Sequence, residues 1–212
     1  GVVNIITKEP LRNSIALSHT TNIVEGGKTD FNTSLNGSFV SDDYRMGLYL
    51  FGMVKDREHY DHNGDNFSDI PELNSETVGF RTYYKMTPYT RLTAEYHHMH
   101  EFRRGGDAFG LPPHMADIAE QLNHKINGGG LKFDYFSPSS RHRAGLYVSG
   151  QGIDRDSYFG TEKNLDAYGA TSDKTFVGGG QYTYSFDHLW FMPSELTVGL
   201  EYNYNKLNDK YL

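Results

Sequence analysis

Apolar and polar residues alternate along most of the chain. Between Phe31 and Phe39 the odd positions are Phe, Thr, Leu, Gly and Phe, and the even positions are Asn or Ser. Between Leu196 and Tyr204 the even positions are Leu, Val, Leu, Tyr and Tyr. A period of two is typical of a strand with one apolar face. The pattern predicts nine strands, at residues 13–24, 30–40, 44–54, 76–86, 91–101, 126–136, 142–153, 174–186 and 195–206.

The predicted connections alternate in length after the first hairpin. Short turns are expected at residues 41–43, 87–90, 137–140 and 187–193, and long loops at 55–75, 102–125 and 154–173. Successive connections of an antiparallel sheet lie at opposite ends, so the long loops share one end. Strands of about ten residues exceed the five or six usual in globular sheets and suffice for a tilted bilayer crossing. The sequence therefore predicts an all-β fold, an antiparallel transmembrane β-barrel.

The first eight residues, GVVNIITK, differ from the rest. Val2, Val3, Ile5 and Ile6 form an apolar cluster before Pro10, as in a strand buried on both faces. No Met and no signal-peptide pattern opens the chain, so we expect residue 1 not to be the natural start. Nine strands also do not close an antiparallel barrel of the usual even number. The sequence is expected to be a fragment.

Composition narrows the function classes. The sequence contains no apolar stretch of 18 residues, so it predicts no membrane-spanning helix. Its net charge of -7 disfavours a nucleic-acid partner. The absence of cysteine excludes disulfides and thiolate metal sites. No nucleophile-elbow, Walker or HExxH pattern occurs. We therefore expect no catalytic residues, and the chain is predicted not to be an enzyme.

The octapeptide GVVNIITK, followed by alternating strands, resembles the junction between plug and barrel in TonB-dependent outer-membrane receptors. The resemblance implies that residues 1–10 end a plug domain and that residues 11–212 form the N-terminal part of a plugged barrel of about 22 strands. It also implies a bacterial outer-membrane location, contact with the lipid bilayer and lipopolysaccharide, and TonB-dependent transport of a large scarce nutrient. The TonB complex would act through the missing plug.

Within that family, the junction and the acidic loop after the third strand look most similar to cobalamin transporters, and the loop style resembles Bacteroidetes receptors. Cobalamin or a similar chelate is the expected substrate, and a surface lipoprotein is a further possible partner. A ferric-siderophore receptor is the alternative within the family. An outer-membrane barrel enzyme and a soluble secreted β-sheet binding module remain open in other classes.

The acidic loop DHNGDNFSDIPE is a candidate calcium site. Its oxygen donors occupy positions 1, 3, 5, 9 and 12 of a calcium-loop register, and they are Asp61, Asn63, Asp65, Asp69 and Glu72. Asn66 stands at position 6, where such loops place Gly for a sharp turn. The resemblance to cobalamin transporters adds calcium as a structural cofactor that orders this loop. A solvated acidic loop without metal is the alternative.

Three further groups of polar residues are candidates for function. Arg103 and Arg104 are predicted in the second long loop, as contacts for an anionic substrate or lipopolysaccharide phosphate, and balancing nearby carboxylates is their alternative role. In the cluster His97, His98 and His100, only His98 and His100 share a strand face, so only these two can meet one metal. Without a third ligand, the pattern favours polar residues at the strand end over a metal site. A third group is expected to face the lumen: Arg81, Glu95, Lys132, Asp134, Arg143, Gln151, Gln181 and Glu201.

Overall fold

The computed structural model describes residues 9–189 and 191–211, and these form one nine-stranded antiparallel sheet in chain order. The all-β prediction and the nine strands are confirmed. The strands are β1 (Ser14–Ile23), β2 (Thr29–Val40), β3 (Met46–Arg57), β4 (Glu72–Thr87), β5 (Thr90–Gly106), β6 (Ile118–Phe136), β7 (His142–Thr161), β8 (Tyr168–Leu189) and β9 (Met192–Tyr211). The predicted strand at residues 1–8 lies outside the described residues.

The sheet is open in the described part of the chain. β1 pairs only with β2, and β9 pairs only with β8, so both are edge strands. The finer prediction of a closed barrel is therefore not shown. No helix among the described residues is long and apolar enough to span a membrane.

The strands lengthen along the chain, from 10 residues in β1 to 22 in β8. The predicted ends were wrong at the long-loop end, where β4 begins at Glu72 and β5 continues to Gly106. Glu72 pairs with Arg104 across these two strands. Glu72, Arg103 and Arg104 thus lie in strands and not in loops. The prediction failed because backbone pairing continues here while the apolar alternation stops.

One face of the sheet, here called the apolar face, carries Leu35 on β2, Leu50 on β3 and Leu200 on β9. These leucines are exposed, Leu35 by 53% and Leu200 by 83%. Buried apolar residues are few in the described chain, and the cluster they form lies at the long-loop end: Ala116, Ala119 and Tyr158. Most of the sheet therefore has no apolar layer from residues 9–189 and 191–211 packed against its apolar face.

The apolar run shifts along the strands from one side of the sheet to the other. Leu35 is central in the run on β2, and Leu200 is central in the run on β9. The direct pairing partners of Leu35, followed across seven strand pairs from β2 to β9, end at Lys206. Lys206 lies six residues beyond Leu200. With a rise of ~3.3 Å per residue and ~4.8 Å between strands, the apolar band crosses the sheet at about 30° to the perpendicular.

The opposite surface, here called the polar face, holds all eight side chains that were predicted to share a face. Arg81 pairs with Glu95 at 3.4 Å, and Lys132 with Asp134 at 2.9 Å. The others on this face are Arg143, Gln151, Gln181 and Glu201. Their common face is confirmed by the register; that it lines a lumen stays a prediction.

Aromatic rings on the polar face lie over glycines of the neighbouring strand. Tyr83 covers Gly47 so closely that a Cβ there would stand 2.2 Å from the ring, and Tyr147 covers Gly179 in the same way. Because glycine has no side chain, the tyrosine rings can lie flat against the sheet, as in aromatic rescue of strand glycines. The polar face therefore has packing of its own.

The residues just before β1 also contact the polar face, several strands away from β1. The Glu9 carboxylate pairs with the Arg91 guanidinium of β5 at 2.9 Å. Arg91 in turn lies 4.4 Å above the ring of Tyr83 on β4. Pro10 is buried beside Gly47 and Tyr83. The chain therefore reaches β1 from the polar side of the sheet.

Candidate ligand-binding site

Besides the turn between β1 and β2, three connections lie at the long-loop end, and they span residues 58–71, 107–117 and 162–167. Ser68 joins the first of these to β5, because its amide donates to the Gly106 carbonyl at 2.9 Å and its hydroxyl accepts from the Gly106 amide at 3.0 Å. Asp107 closes the second connection by accepting the Ile118 amide at 2.9 Å. The loops are thus tied to the strand ends by polar contacts.

A cavity of about 480 Å³ opens at this end of the sheet. Its floor is the polar face of β5, β6 and β7, and the connection between β3 and β4 forms one wall. Gly105 contributes no side chain, and Pro71 and Ser68 lie about 3.5 Å from the position of its missing Cβ. The cavity lies within the ~300–1,000 Å³ range typical of small-ligand sites. Its lining includes Phe67, Ser68, Pro71, Arg103, Gly105, Ile118, Glu120, Phe159, Thr161 and Asn164.

Arg103 and Glu120 supply opposite charges to the cavity. Arg103 projects from β5, and Glu120 projects from β6 directly opposite Gly105. Neither side chain forms an ion pair or a hydrogen bond with any described residue. Phe67 and Phe159 add exposed aromatic rings. The site thus combines a free guanidinium, a free carboxylate and two apolar ring surfaces.

Arg104 has a different environment, although it is the next residue along β5. Its side chain is on the opposite face of the strand and only 6% exposed. The guanidinium donates to the carbonyls of Leu111 at 2.6 Å and Ala108 at 3.1 Å, and it lies 5.4 Å from the ring centre of Phe109. Arg104 therefore holds the connection between β5 and β6 in place, and its charge is turned away from the cavity.

His59 reinforces the same connection. Its imidazole stacks on the Phe109 ring with a centroid distance of 3.7 Å and an interplanar angle of 4°. Partial burial lowers the pKa of His59, and the positive charge of Lys28 lowers it further. The neutral imidazole is thus favoured in the stacked arrangement, which links two of the three connections.

A small apolar cluster supports the third connection. The Tyr158 side chain is 1% exposed and packs with Ala116 and Ala119. Its hydroxyl donates to the Asn164 carbonyl at 2.9 Å, and its ring meets Tyr168 edge-on at 4.8 Å. This packing joins residues 162–167 to residues 107–117, so the rim of the cavity has a fixed base.

The acidic loop turns as a calcium loop does at its sixth position. Asn66 has a φ of 67°, the left-handed conformation for which Gly was expected, and Asn tolerates it better than most residues. The Asp61 carboxylate accepts the backbone amides of Gly64 at 2.8 Å and Asn66 at 2.7 Å. The departure at position 6 is therefore no obstacle to the loop conformation.

Several of the proposed calcium ligands accept backbone amides of the loop. Asp65 accepts the Phe67 amide, and Asp69 accepts the His62 amide. Glu72 lies on β4. In the described residues no three acidic or histidine side chains come together as a metal site. The loop is organised by hydrogen bonds from its own backbone amides. Calcium binding by Asp61, Asn63, Asp65, Asp69 and Glu72 stays a prediction.

The histidine cluster also has protein partners. His98 contacts the Asn127 side chain at 2.9 Å, and His100 contacts Asn123 at 2.8 Å. His97 is on the opposite face, where its ring covers Gly128. The three histidines therefore serve the packing of β5 against β6.

The sequence pattern did not predict part of the cavity lining. Glu120 and Phe159 fall in segments that were predicted to be loops, so their common face with Arg103 was not foreseen. Once β6 is extended back to Ile118, alternation places Ile118, Glu120 and Leu122 on the face of Arg103.

Comparison with protein-family models, with curated proteins and with solved structures found no match for this chain.

Proposed function

We propose that this chain is part of the wall of a TonB-dependent outer-membrane transporter that imports a large scarce nutrient, with cobalamin or a similar chelate as the expected substrate. The proposal includes a transmembrane β-barrel of about 22 strands with a plug in its lumen. The apolar face would meet the lipid, and the polar face would line the lumen.

The oblique apolar band is the observation that carries the proposal. Barrel strands cross a bilayer at a tilt of roughly 35–45°, so a band parallel to the membrane must shift steadily along the register. The band on this sheet shifts by about 30°, close to that range. A soluble sheet with one apolar face would bury that face under another layer, and the described chain supplies none.

Two further observations support the plug and the wall. Glu9 and Pro10 approach from the polar face, which is the side on which a luminal plug would connect to β1. The edge strands β1 and β9 have backbone groups available for neighbouring strands. Both fit a sheet that continues into a larger barrel.

The cavity gives the proposal a substrate contact. It lies on the polar face at the long-loop end, which would be the extracellular mouth of the lumen. Arg103 there would attract an anionic group of the substrate, while Phe67 and Phe159 would contact apolar parts. Arg104 takes no part in this contact because its guanidinium is engaged by backbone carbonyls.

Membrane assembly is the first test. The full-length protein should fractionate with outer membranes and migrate differently on gels before and after heating. A product that stays soluble without detergent would contradict the proposal and favour a secreted binding module. Activity on lipid or peptide that persists without TonB would favour a barrel enzyme.

Transport is the second test. Uptake of labelled cobalamin should require TonB, and Arg103→Ala should weaken uptake about tenfold, through loss of one charge-assisted contact. Lys163→Ala is the matched control, because Lys163 lies at the same end but not in the cavity. TonB-dependent uptake of a ferric siderophore, with no cobalamin uptake, would shift the substrate to the alternative within the family.

A further inference from the structure

Two lysines are direct neighbours on the apolar face, on adjacent strands. Lys174 of β8 pairs in register with Lys206 of β9, so their side chains leave the sheet on the same side. Directly opposed like charges on neighbouring strands are destabilising. Both lysines are exposed, and neither forms an ion pair with a described residue within 4.0 Å. No described residue therefore pairs with either ammonium group to offset their repulsion.

The lysine pair stands at the edge of the apolar band. Phe176 and Tyr204 form a second direct pair on the same face, two residues from the lysines toward the middle of the apolar band. Beyond Lys206 the face carries Asn208 and Lys210, so the apolar run ends at the lysines. Aromatic residues followed by cationic ones are typical of the boundary between the lipid core and the headgroups.

There is room for a ligand beside the pair. Gly152 of β7 is the direct neighbour of Lys174 on the other side, and no atom lies within 4 Å of the position that its Cβ would occupy. Asn127 of β6 follows on the same row and offers an amide group. Among the described residues, the nearest carboxylate on this face is that of Asp154, which is in register with Lys125 on one side and Ser172 on the other.

We propose that Lys174 and Lys206 together bind the phosphate headgroup of an anionic membrane lipid, with Gly152 leaving room for the headgroup and Phe176 and Tyr204 contacting the acyl region. The inference rests on the proposed function, because it needs the apolar band to face lipid. A phosphate between two ammonium groups replaces their repulsion with two charge-assisted contacts. The acyl chains keep that phosphate at the band edge, which a free anion in solution does not match.

The test uses the full-length protein and a sign reversal. In neutral phosphatidylcholine vesicles Lys206→Gln should raise the melting temperature, because it removes a repulsion. In vesicles with phosphatidylglycerol the same variant should lower it, because a headgroup contact is lost. Lys163→Gln makes the same charge change away from the band and should show no such reversal.

A direct binding measurement completes the experiment. The double variant Lys174→Gln/Lys206→Gln should bind phosphatidylglycerol in mixed micelles about tenfold more weakly than the unaltered protein does. Equal binding by both proteins would overturn the inference. Inorganic phosphate that protects the protein as well as the lipid does would also overturn it, in favour of a free anion. Because all variants keep the apolar band, their membrane fractionation tests the proposed function separately.

Discussion

The middle of the sheet and its long-loop end are built on different principles. Around Leu50 and Leu200 the apolar side chains point outward and stay exposed, and ordered packing is found on the polar face, where Tyr83 and Tyr147 cover glycines. At the long-loop end the ordered packing is on the apolar side instead, where Tyr158 is buried in a small cluster of its own chain. In the described chain no apolar layer covers the first region, whereas the second provides its own packing.

Under the proposed function, this difference would let one sheet serve two environments. A strand that left the lipid would keep its backbone pairing and would replace the lipid contact with contacts from the protein. The buried Tyr158 and the engaged Arg104 supply those contacts on the apolar side of β5 and β7. The polar side is then free to form the cavity with Arg103 and Glu120.

A charge in the apolar band tests the first region. Leu200→Arg should oppose membrane assembly by about 2–4 kcal/mol, the cost of an Arg on the lipid face near the bilayer midplane. Asn203→Arg is the control, because it adds the same side chain to the same strand on the polar face. The assembled fraction, measured by heat-modifiable migration, should fall for Leu200→Arg alone. Equal loss in both variants would count against a lipid-facing band.

Removal of the buried Tyr158 side chain tests the long-loop end. Tyr158→Ala should destabilise the long-loop end by about 3–5 kcal/mol, through lost packing and a cavity. Tyr158→Phe keeps the ring and loses only the bond to Asn164, which costs about 1 kcal/mol. Hydrogen exchange should rise in residues 107–117 and 162–167 but not in the strands near Leu50. Exchange that rises evenly along the sheet would contradict two independent regions.

The sequence predicted the first region much better than the second. On β2 and β9 the environment differs sharply between the two faces, so alternation from Phe31 and from Leu196 identified the strands. At the long-loop end both faces meet polar or protein surroundings, and the alternation fades at Gln121 and Asn123 although the pairing continues. The cavity was missed for the same reason. The separate roles of Arg103 and Arg104 follow only from their opposite faces.

The glycines of the polar face offer a third, smaller test. Gly47→Ala would place a methyl group 2.2 Å from the Tyr83 ring and 2.8 Å from Pro10, and such overpacking costs about 1–3 kcal/mol. Gly145→Ala is the matched control on the same face, since the nearest atom to its added methyl group lies 3.6 Å away, an ordinary contact distance. Thermal unfolding should shift downward for Gly47→Ala only. A tolerated Gly47→Ala would mean that the ring is free to move off the strand.

The smallest expected effect is a pH dependence of the long-loop end. Because the pKa of His59 is lowered from 6.5 in the packed state, the opened loop binds a proton more readily. Packing is therefore complete above pH ~6.5 and weakens as the pH falls through that value toward the lowered pKa. Hydrogen exchange of residues 58–71 and 107–117, corrected for the intrinsic rate, should rise less than tenfold between pH 7.5 and 5. The variant His59→Phe keeps a ring stacked on Phe109 but has no titrating group there. Hydrogen exchange in its loops should therefore lose this pH dependence. Exchange in the strands of the apolar band should not depend on pH in this way in either protein. The same rise in His59→Phe would assign the effect to another group.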